Sequence, residues 1–553
     1  MKKFLLPILL LLLITACKQE PKSTKPIVLW QSYNDSAEVA ANADHESERM
    51  RYKFIQSKVS DKNEVFLPLY AEVSQFSDST YKMMKPLVLE QDIPSIQKSI
   101  SVGKFSYEDL VLFYLHRIYK YELPNETTLN TVIALNPDVL EEARKLDANA
   151  EGKHPIYGMP ILLKDNIGTE GMKTTAGAIA LMDNTTDDAF IVTRLKEKGA
   201  LILGKANLSE WANFICAVCP NGQSAVGGQT LNPYGRRVFD TGGSSAGSGT
   251  STAANYAVAA IGTETSGSIL SPSSQNSVVG LKPTIGLLSR TGIVPISSTL
   301  DTPGPMTKNV ADNAILLDAL LGKDAEDSKS VEGYDGMLSS YLNPKPLNEL
   351  RLGAMKSLME ADSIYGETIA RLKEAGAEIV EFDPPEVAMD GFLSVLNIDM
   401  KNDLPAYLES QVKNTDAVTI GSVADVVRFN SEDSTVRIPY EQARLDSILT
   451  DPTSEEGLVE IKERLKKNGQ KFFDSALDEH DLDAILSINN WHAGHAAVAE
   501  YPALTIPMGY KESGEPISLT FISKPFQEAE LLRMGKSFEQ LTRARKIPES
   551  YKE

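Results

Sequence analysis

Two hydroxyl-rich stretches, "DTGGSSAGSGTS" at 240–251 and "GTETSGSILSP" at 262–272, stand out from the apolar runs around them. Small hydroxyls and bare backbone N–H groups at a junction of buried elements suit acyl transfer: a serine attacks a carbonyl while amide N–H groups hold the oxyanion. The second turn, set between "NYAVAAI" and "SVVGLKP", offers Ser268 as that nucleophile. The first stretch holds a G-x-S-x-G string from Gly243 to Gly247 around Ser245. A nucleophile elbow needs a strand just before it, and "NPYGRRVFDT" has no strand pattern. Nor is this stretch a phosphate cradle, because the Lys of G-x-x-x-x-G-K-[ST] is missing.

A serine nucleophile needs a base, and the six histidines supply none in a recognisable setting. His492 and His495, spaced i, i+3 in "NNWHAGHAAV", are half a metal site with no Cys or His to complete it, and read as structural or pocket-lining residues. No metal and no cofactor are expected. Lys164 ends the apolar run "MPILLK". Its amine emerges from low-dielectric surroundings that favour the neutral form, which makes it a candidate base.

These residues must be positioned by buried elements. Short apolar runs, "PILLK", "ALILGK", "YAVAAIGT", "LRLGAM", "EIVEFD", "AILSIN", "ALTIPMG" and "ISLTFIS", alternate with helical stretches. That alternation predicts an α/β fold: one large domain around a mixed central sheet covered by helices. Ser106 with Asp109 marks a capping box at the start of "SYEDLVLFYLHRIYKYE". The segment from about 385 to 480 is charged, helical and without a good strand, and reads as an excursion over the sheet.

The strings "GMPILLKDNI", "GGSSAGS", "GTETSGSI" and "VVGLKPT" together resemble the amidase signature family, with the likeness running from about Asp92 to about residue 545. Ser244 and Ser268 lie 24 residues apart, as in that family. "GGQTLNPYG", "GTET" and "ISSTLDTPGPM" further resemble its bacterial peptide-amidase branch, which acts on C-terminal amides of short peptides. The resemblance implies a Ser-Ser-Lys triad: Ser268 attacks, Ser244 after a cis peptide bond relays the proton, and neutral Lys164 accepts it. It implies an oxyanion hole from the N–H groups of Thr265, Ser266, Gly267 and Ser268. Two positions depart from the family pattern: Ser266 stands where Gly is usual and Leu270 where many members carry Arg. Without that Arg, a neutral acyl part such as a peptide carbonyl fits better than a dicarboxylic amide.

The opening "MKKFLLPILLLLLITACKQE" joins two lysines, an apolar run and small residues before Cys17, the layout of a secretory signal at 1–16. "ITAC" resembles a bacterial lipobox, which implies cleavage before Cys17 and lipid on its sulfur. The expected product is an exported, outer-membrane lipoprotein with a polar tether at 17–50, a helical extension at 51–91 and the catalytic domain at 92–545. Cys216 and Cys219 in "ICAVCPN" read as a local disulfide or two free thiols, since Pro220-Asn221-Gly222 is a turn and not the helix of a redox pair. With 75 acidic against 55 basic residues the formal charge is −20, which disfavours nucleic-acid partners. Three functions follow in order: a hydrolase of small or peptide amides, an amide-binding lipoprotein that has lost catalysis, and the glutaminase subunit of a tRNA-dependent amidotransferase.

Overall fold

A computed structural model describes residues 27–149, 154–334 and 336–553. The signal segment and Cys17 lie outside the described residues. An eleven-stranded mixed sheet runs through the centre. Its strands are β1 (Val132–Leu135), β2 (Pro160–Lys164), β3 (Leu201–Ala206), β6 (Ala259–Glu264), β7 (Val279–Lys282), β8 (Thr302–Thr307), β9 (Arg351–Met355), β10 (Glu378–Phe382), β11 (Ala484–Ile488), β12 (Ala503–Tyr510) and β13 (Pro516–Ile522). β4 (Gln223–Ser224) and β5 (Gly228–Gln229) form a separate two-stranded ribbon. The spatial order is β1-β3-β2-β6-β8-β7-β12-β13-β11-β9-β10. β2 is parallel to both β3 and β6, so three strands deliver their C-terminal ends to the same side. Side chains at such ends face the crevice where α/β sheets bind ligands.

All eight apolar runs named above lie on strands. β8, "TPGPMT", carries no strand signal because Pro303 and Pro305 cannot donate to a ladder. The two prolines share one parity along the strand. β7 pairs with β8 only at Met306 and Thr307 beyond them, while β6 pairs along its whole length.

The segment 27–50, expected as a tether, is packed onto the domain. Asn63 Oδ1 accepts from Leu29 N at 2.8 Å, and Asp35 Oδ2 accepts from Ile55 N at 2.7 Å. Arg49 Nη1 donates to Cys219 O at 2.8 Å. Trp30, Met50, Tyr52 and Ile55 are buried, so the compact body starts well before Asp92. Polar side chains anchor this segment one by one, and its polar composition hides that. At the other end, Arg117, buried on the capped helix Tyr107–Glu122, donates to Tyr551 O and Ala254 O and ties down the C-terminus.

Between β10 and β11 the chain is helical, with its longest helices at Phe392–Gln411 and Glu455–Leu477. They enclose a second hydrophobic core with Trp211, Phe214 and the Cys216–Cys219 pair. The two cysteines are joined as a disulfide, Cα–Cα 5.8 Å. Among the described residues no helix is long and apolar enough to cross a membrane.

Candidate active site

Lys164 closes β2 and Thr263 lies near the end of β6, so parallel neighbours bring them together. Lys164 Nζ is fully buried, 2.7 Å from Ser244 Oγ, 2.8 Å from Thr263 Oγ1 and 3.1 Å from Thr263 O. Burial pulls its pKa down to about 7, against an opposing pull from the negative charges of Asp301 and Glu264. No carboxylate reaches it within ion-pair distance among the described residues. Lys205, on the adjacent β3, is buried too but sits 3.3 Å from Asp165. It is a paired structural cation, which is why Lys164 and not Lys205 can serve as a base.

Ser244 follows a cis peptide bond from Gly243 and precedes the helix Ala246–Ala253. Every residue of that helix is small and buried. Gly247 lets it press on the chain after β3, since a Cβ there would stand 2.4 Å from Asn207 O. Without that close approach the helix would move off the sheet and carry Ser244 away from Lys164. Ser209 N holds Ser244 O at 3.0 Å, and Ser245 N donates to Ser268 O at 3.2 Å, which sets the two hydroxyl-rich stretches side by side. Ser245 itself is buried and spends its Oγ on Thr263 O, so it is no nucleophile.

Ser268 is partly exposed in a turn closed by Glu264. Glu264 Oε2 accepts from Ile269 N at 2.7 Å and Leu270 N at 2.9 Å, and Gly267 N–H also leans on this carboxylate. The N–H groups of Thr265, Ser266 and Ser268 make no hydrogen bond among the described residues. They are the donors left for an oxyanion. Asp301 braces the turn from outside, taking the Thr265 hydroxyl on Oδ1 and the N–H groups of Ile296 and Ser297 on Oδ2. Neither acid has a motif role of its own, because each holds backbone N–H groups four to six residues away, contacts that residue type alone does not register.

A partly exposed serine beside free N–H donors, with a second serine bonded to a buried and readily neutral lysine, is equipped for acyl transfer at a carbonyl. The Amidase family pattern matches residues 109–488. The chain belongs to the amidase family. It is 36% identical over 481 residues to a probable amidase of Arabidopsis thaliana, covering 83% of this chain and 92% of the relative. It is 30% identical over 454 residues to a Glutamyl-tRNA(Gln) amidotransferase subunit of Ruegeria sp., covering 74% and 90%. An amidase family protein from Bacillus anthracis superposes with TM-score 0.84 at 37% identity, covering 90% of this chain and all of that one. Native peptide amidase from Stenotrophomonas maltophilia superposes with TM-score 0.76 at 36% identity, covering 83% and 98%.

The two departures from the amidase pattern now have places. Ser266 keeps an ordinary negative φ, and Gly267 alone in the turn takes the left-handed region, φ +92°. Leu270 is buried in the main core behind the turn, so its side chain speaks to packing there and not to a substrate clamp. A Cβ on Gly267 would lie 3.0 Å from Nδ2 of Asn490, a residue with no motif of its own. Gly267→Ala is therefore strained twice, and should lower kcat by about 10²-fold through displaced oxyanion donors; steady-state rates on any accepted amide check this.

His492 and His495 take packing roles: His492 Nδ1 meets Ser487 Oγ at 2.6 Å and the His495 ring stacks on Phe472 at 4.2 Å. Among the described residues no group of three His, Cys, Asp or Glu is placed to hold a metal ion.

Thr263 is a further amidase residue that motif reading misses. Its Oγ1 also accepts from Asn166 Nδ2 at 3.1 Å, so it anchors two buried side chains. Thr263→Val removes an acceptor that favours the lysine ammonium. The expected result is a ten- to hundredfold lower kcat, with the acid limb of the pH–rate profile moved to lower pH.

Proposed function

We propose that this amidase hydrolyses small carboxylic amides, with C-terminal amides of short peptides as the leading class, through an acyl-enzyme on Ser268. The observation that carries this reading is the buried Lys164 amine bonded to Ser244 with no carboxylate in ion-pair contact among the described residues. In the neutral amine, two N–H bonds satisfy Thr263 Oγ1 and O, and the lone pair faces the Ser244 hydroxyl. Ser244 passes its proton to Lys164 as it takes the proton of Ser268, and Ser268 Oγ adds to the amide carbonyl. The negative charge on oxygen meets the N–H groups of Thr265, Ser266 and Ser268, each donor contributing about 3–4 kcal/mol. The tetrahedral intermediate collapses as the proton returns through Ser244 to the leaving nitrogen. Ammonia or amine departs and the ester remains on Ser268. Water repeats the relay and releases the acid.

The peptide class is supported by the likeness to the Stenotrophomonas peptide amidase and to a peptide amidase solved in complex with the competitive inhibitor chymostatin. The signal layout and Cys17 support an exported, lipid-anchored enzyme, and the charge of −20 weighs against an amidotransferase role beside tRNA. The test is to incubate the purified protein with peptide amides, aryl amides and fatty-acyl amides and identify acid products by mass spectrometry. Conversion of peptide amides supports the reading in full. Turnover confined to another class keeps the triad and removes the peptide assignment.

A further inference from the structure

The Cys216–Cys219 disulfide sits in a loop, residues 209–222, whose two ends meet at the catalytic machinery. Ser209 opens this loop after β3. Its N–H holds Ser244 O at 3.0 Å, and its Oγ accepts from Gly222 N at 2.9 Å, which closes the loop on itself. Both ends press on the residue before Ser244, since a Cβ on Gly243 would stand 2.7 Å from Ser209 Oγ and 2.7 Å from Asn221 Oδ1. Between them, Ala212 borders a cavity of about 370 Å³ that Thr263 and Thr265 also line. A displacement of the loop therefore reaches Ser244 through its own backbone.

The loop does not hold its shape by local preference. Trp211, Ala212 and Asn213 take left-handed φ values of +50°, +53° and +74° in succession. Residues with a Cβ keep such a run only where the surroundings impose it. On the inner side, Trp211 is buried and its N–H donates to Ala176 O at 2.9 Å, while Glu210 Oε2 takes Ala225 N at 2.8 Å. At the outer tip the disulfide joins residues 216 and 219. Arg49 donates there to Cys219 O at 2.8 Å and Ala217 O at 3.2 Å, and Glu441 Oε1 takes Ala217 N at 2.7 Å. Arg49 comes from the N-terminal segment and Glu441 from the helical excursion, so two distant parts of the chain pin the tip that the disulfide closes.

We propose that the 209–222 loop is a brace that aligns Ser244 with Lys164, with Ser209 as its positioning residue and the Cys216–Cys219 bridge keeping it in shape. The inference deepens the amide-hydrolase reading and rests on its proton relay: Ser244 Oγ must stay at the 2.7 Å it keeps from Lys164 Nζ to carry a proton to the leaving nitrogen. The C-x-x-C pair then serves catalysis through geometry, without redox chemistry of its own.

The test gives wild type, Ser209→Ala and the double variant Cys216→Ser with Cys219→Ser an amide and a p-nitrophenyl ester of the same acyl part. An amide nitrogen needs a proton from Ser244 to depart, whereas p-nitrophenolate leaves unprotonated. Each variant should lower kcat on the amide by about 20-fold or more with KM within about threefold of wild type. The amide-to-ester ratio of kcat/KM should fall by about fivefold or more. A merely unfolded fraction lowers both rates equally and leaves that ratio unchanged. Amide rates within about twofold of wild type, or an unchanged ratio, in either variant overturn the proposal. If wild type cleaves no amide, the amide-hydrolase reading fails instead, and the brace is read from the rate at which a fluorophosphonate labels Ser268, followed by intact mass. In that reaction Ser268 Oγ bonds to phosphorus, fluoride leaves, and the serine proton passes through Ser244 to Lys164. Labelling at least about fivefold slower in both variants keeps the brace, and labelling at the wild-type rate in either removes it.

Discussion

Ser268→Ala should abolish turnover, lowering kcat/KM by at least about 10⁴-fold, while shifting the melting temperature by less than about 2 °C. Both halves follow from the turn. Ser268 is partly exposed and its Oγ makes no hydrogen bond among the described residues, so the hydroxyl contributes little to folding. The turn around it is held by groups the substitution leaves alone: Glu264 against Ile269 N and Leu270 N, and Asp301 against Thr265. The oxyanion donors therefore stay in place and substrate still binds. What vanishes is the hydroxyl that the proposed mechanism acylates. Rates on an accepted amide, thermal melts and intact-mass spectra of the protein under turnover report the three consequences separately. Wild type should show a mass increase equal to the acyl group, and Ser268→Ala should not. Activity within about tenfold of wild type in the variant would move the nucleophile elsewhere. An amide that binds both proteins equally and is cleaved by neither would favour a binding protein that has lost catalysis.

How far the sequence announces this site depends on the kind of interaction involved. Strands buried on both faces are legible because they are runs of apolar residues, and β2, β3, β6 and β12 carry that mark. β8 escapes because its pairing survives two prolines that one neighbouring ladder does not reach. Ser268 and Lys164 are legible as candidates from a serine in a hydroxyl-rich turn and a lysine ending an apolar run, and Ser244 only through the resemblance of its string to the amidase signature. Glu264, Thr263, Asp301 and Asn166 are not, since each is defined by a partner far away in the chain or by a backbone group. Glu264 stands inside the turn motif itself, and its only signal is an acid at the end of an apolar strand, a costly placement unless it is satisfied. The same limit explains the N-terminal segment. Composition reports that 27–50 is polar, while Asn63, Asp35 and Arg49 hold it through hydrogen bonds that composition cannot encode.

Lys164→Met should cost at least about 10³-fold in kcat/KM and remove a pH limb that wild type shows near pH 7. Burial depresses the amine to about 7, so wild-type activity should rise as pH passes through that region and the neutral base accumulates, then level off. Lys164→Arg should be as inactive as Lys164→Met, because a guanidinium stays protonated and has no lone pair to offer Ser244. That comparison separates a proton acceptor from a positive charge that merely positions the serine. The substitution should move stability opposite to activity. The folded pKa lies below the value of 10.5 for an exposed lysine, so between about pH 7 and 10.5 the unfolded chain binds more protons than the folded one. Folding is therefore favoured increasingly as pH rises across that window. At pH 7 and below, the fold bears the cost of holding this amine out of water. Methionine, similar in length and apolar, relieves that cost, so Lys164→Met should melt at the same temperature as wild type or higher near pH 7. Its melting temperature should also lose part of the upward slope with pH. A strand end that is stabilised by losing its lysine while catalysis collapses is one where the amine serves the reaction and not the fold. If the activity limb near pH 7 persists in Lys164→Met, another group carries it, and the neutral amine facing Ser244 is not the base.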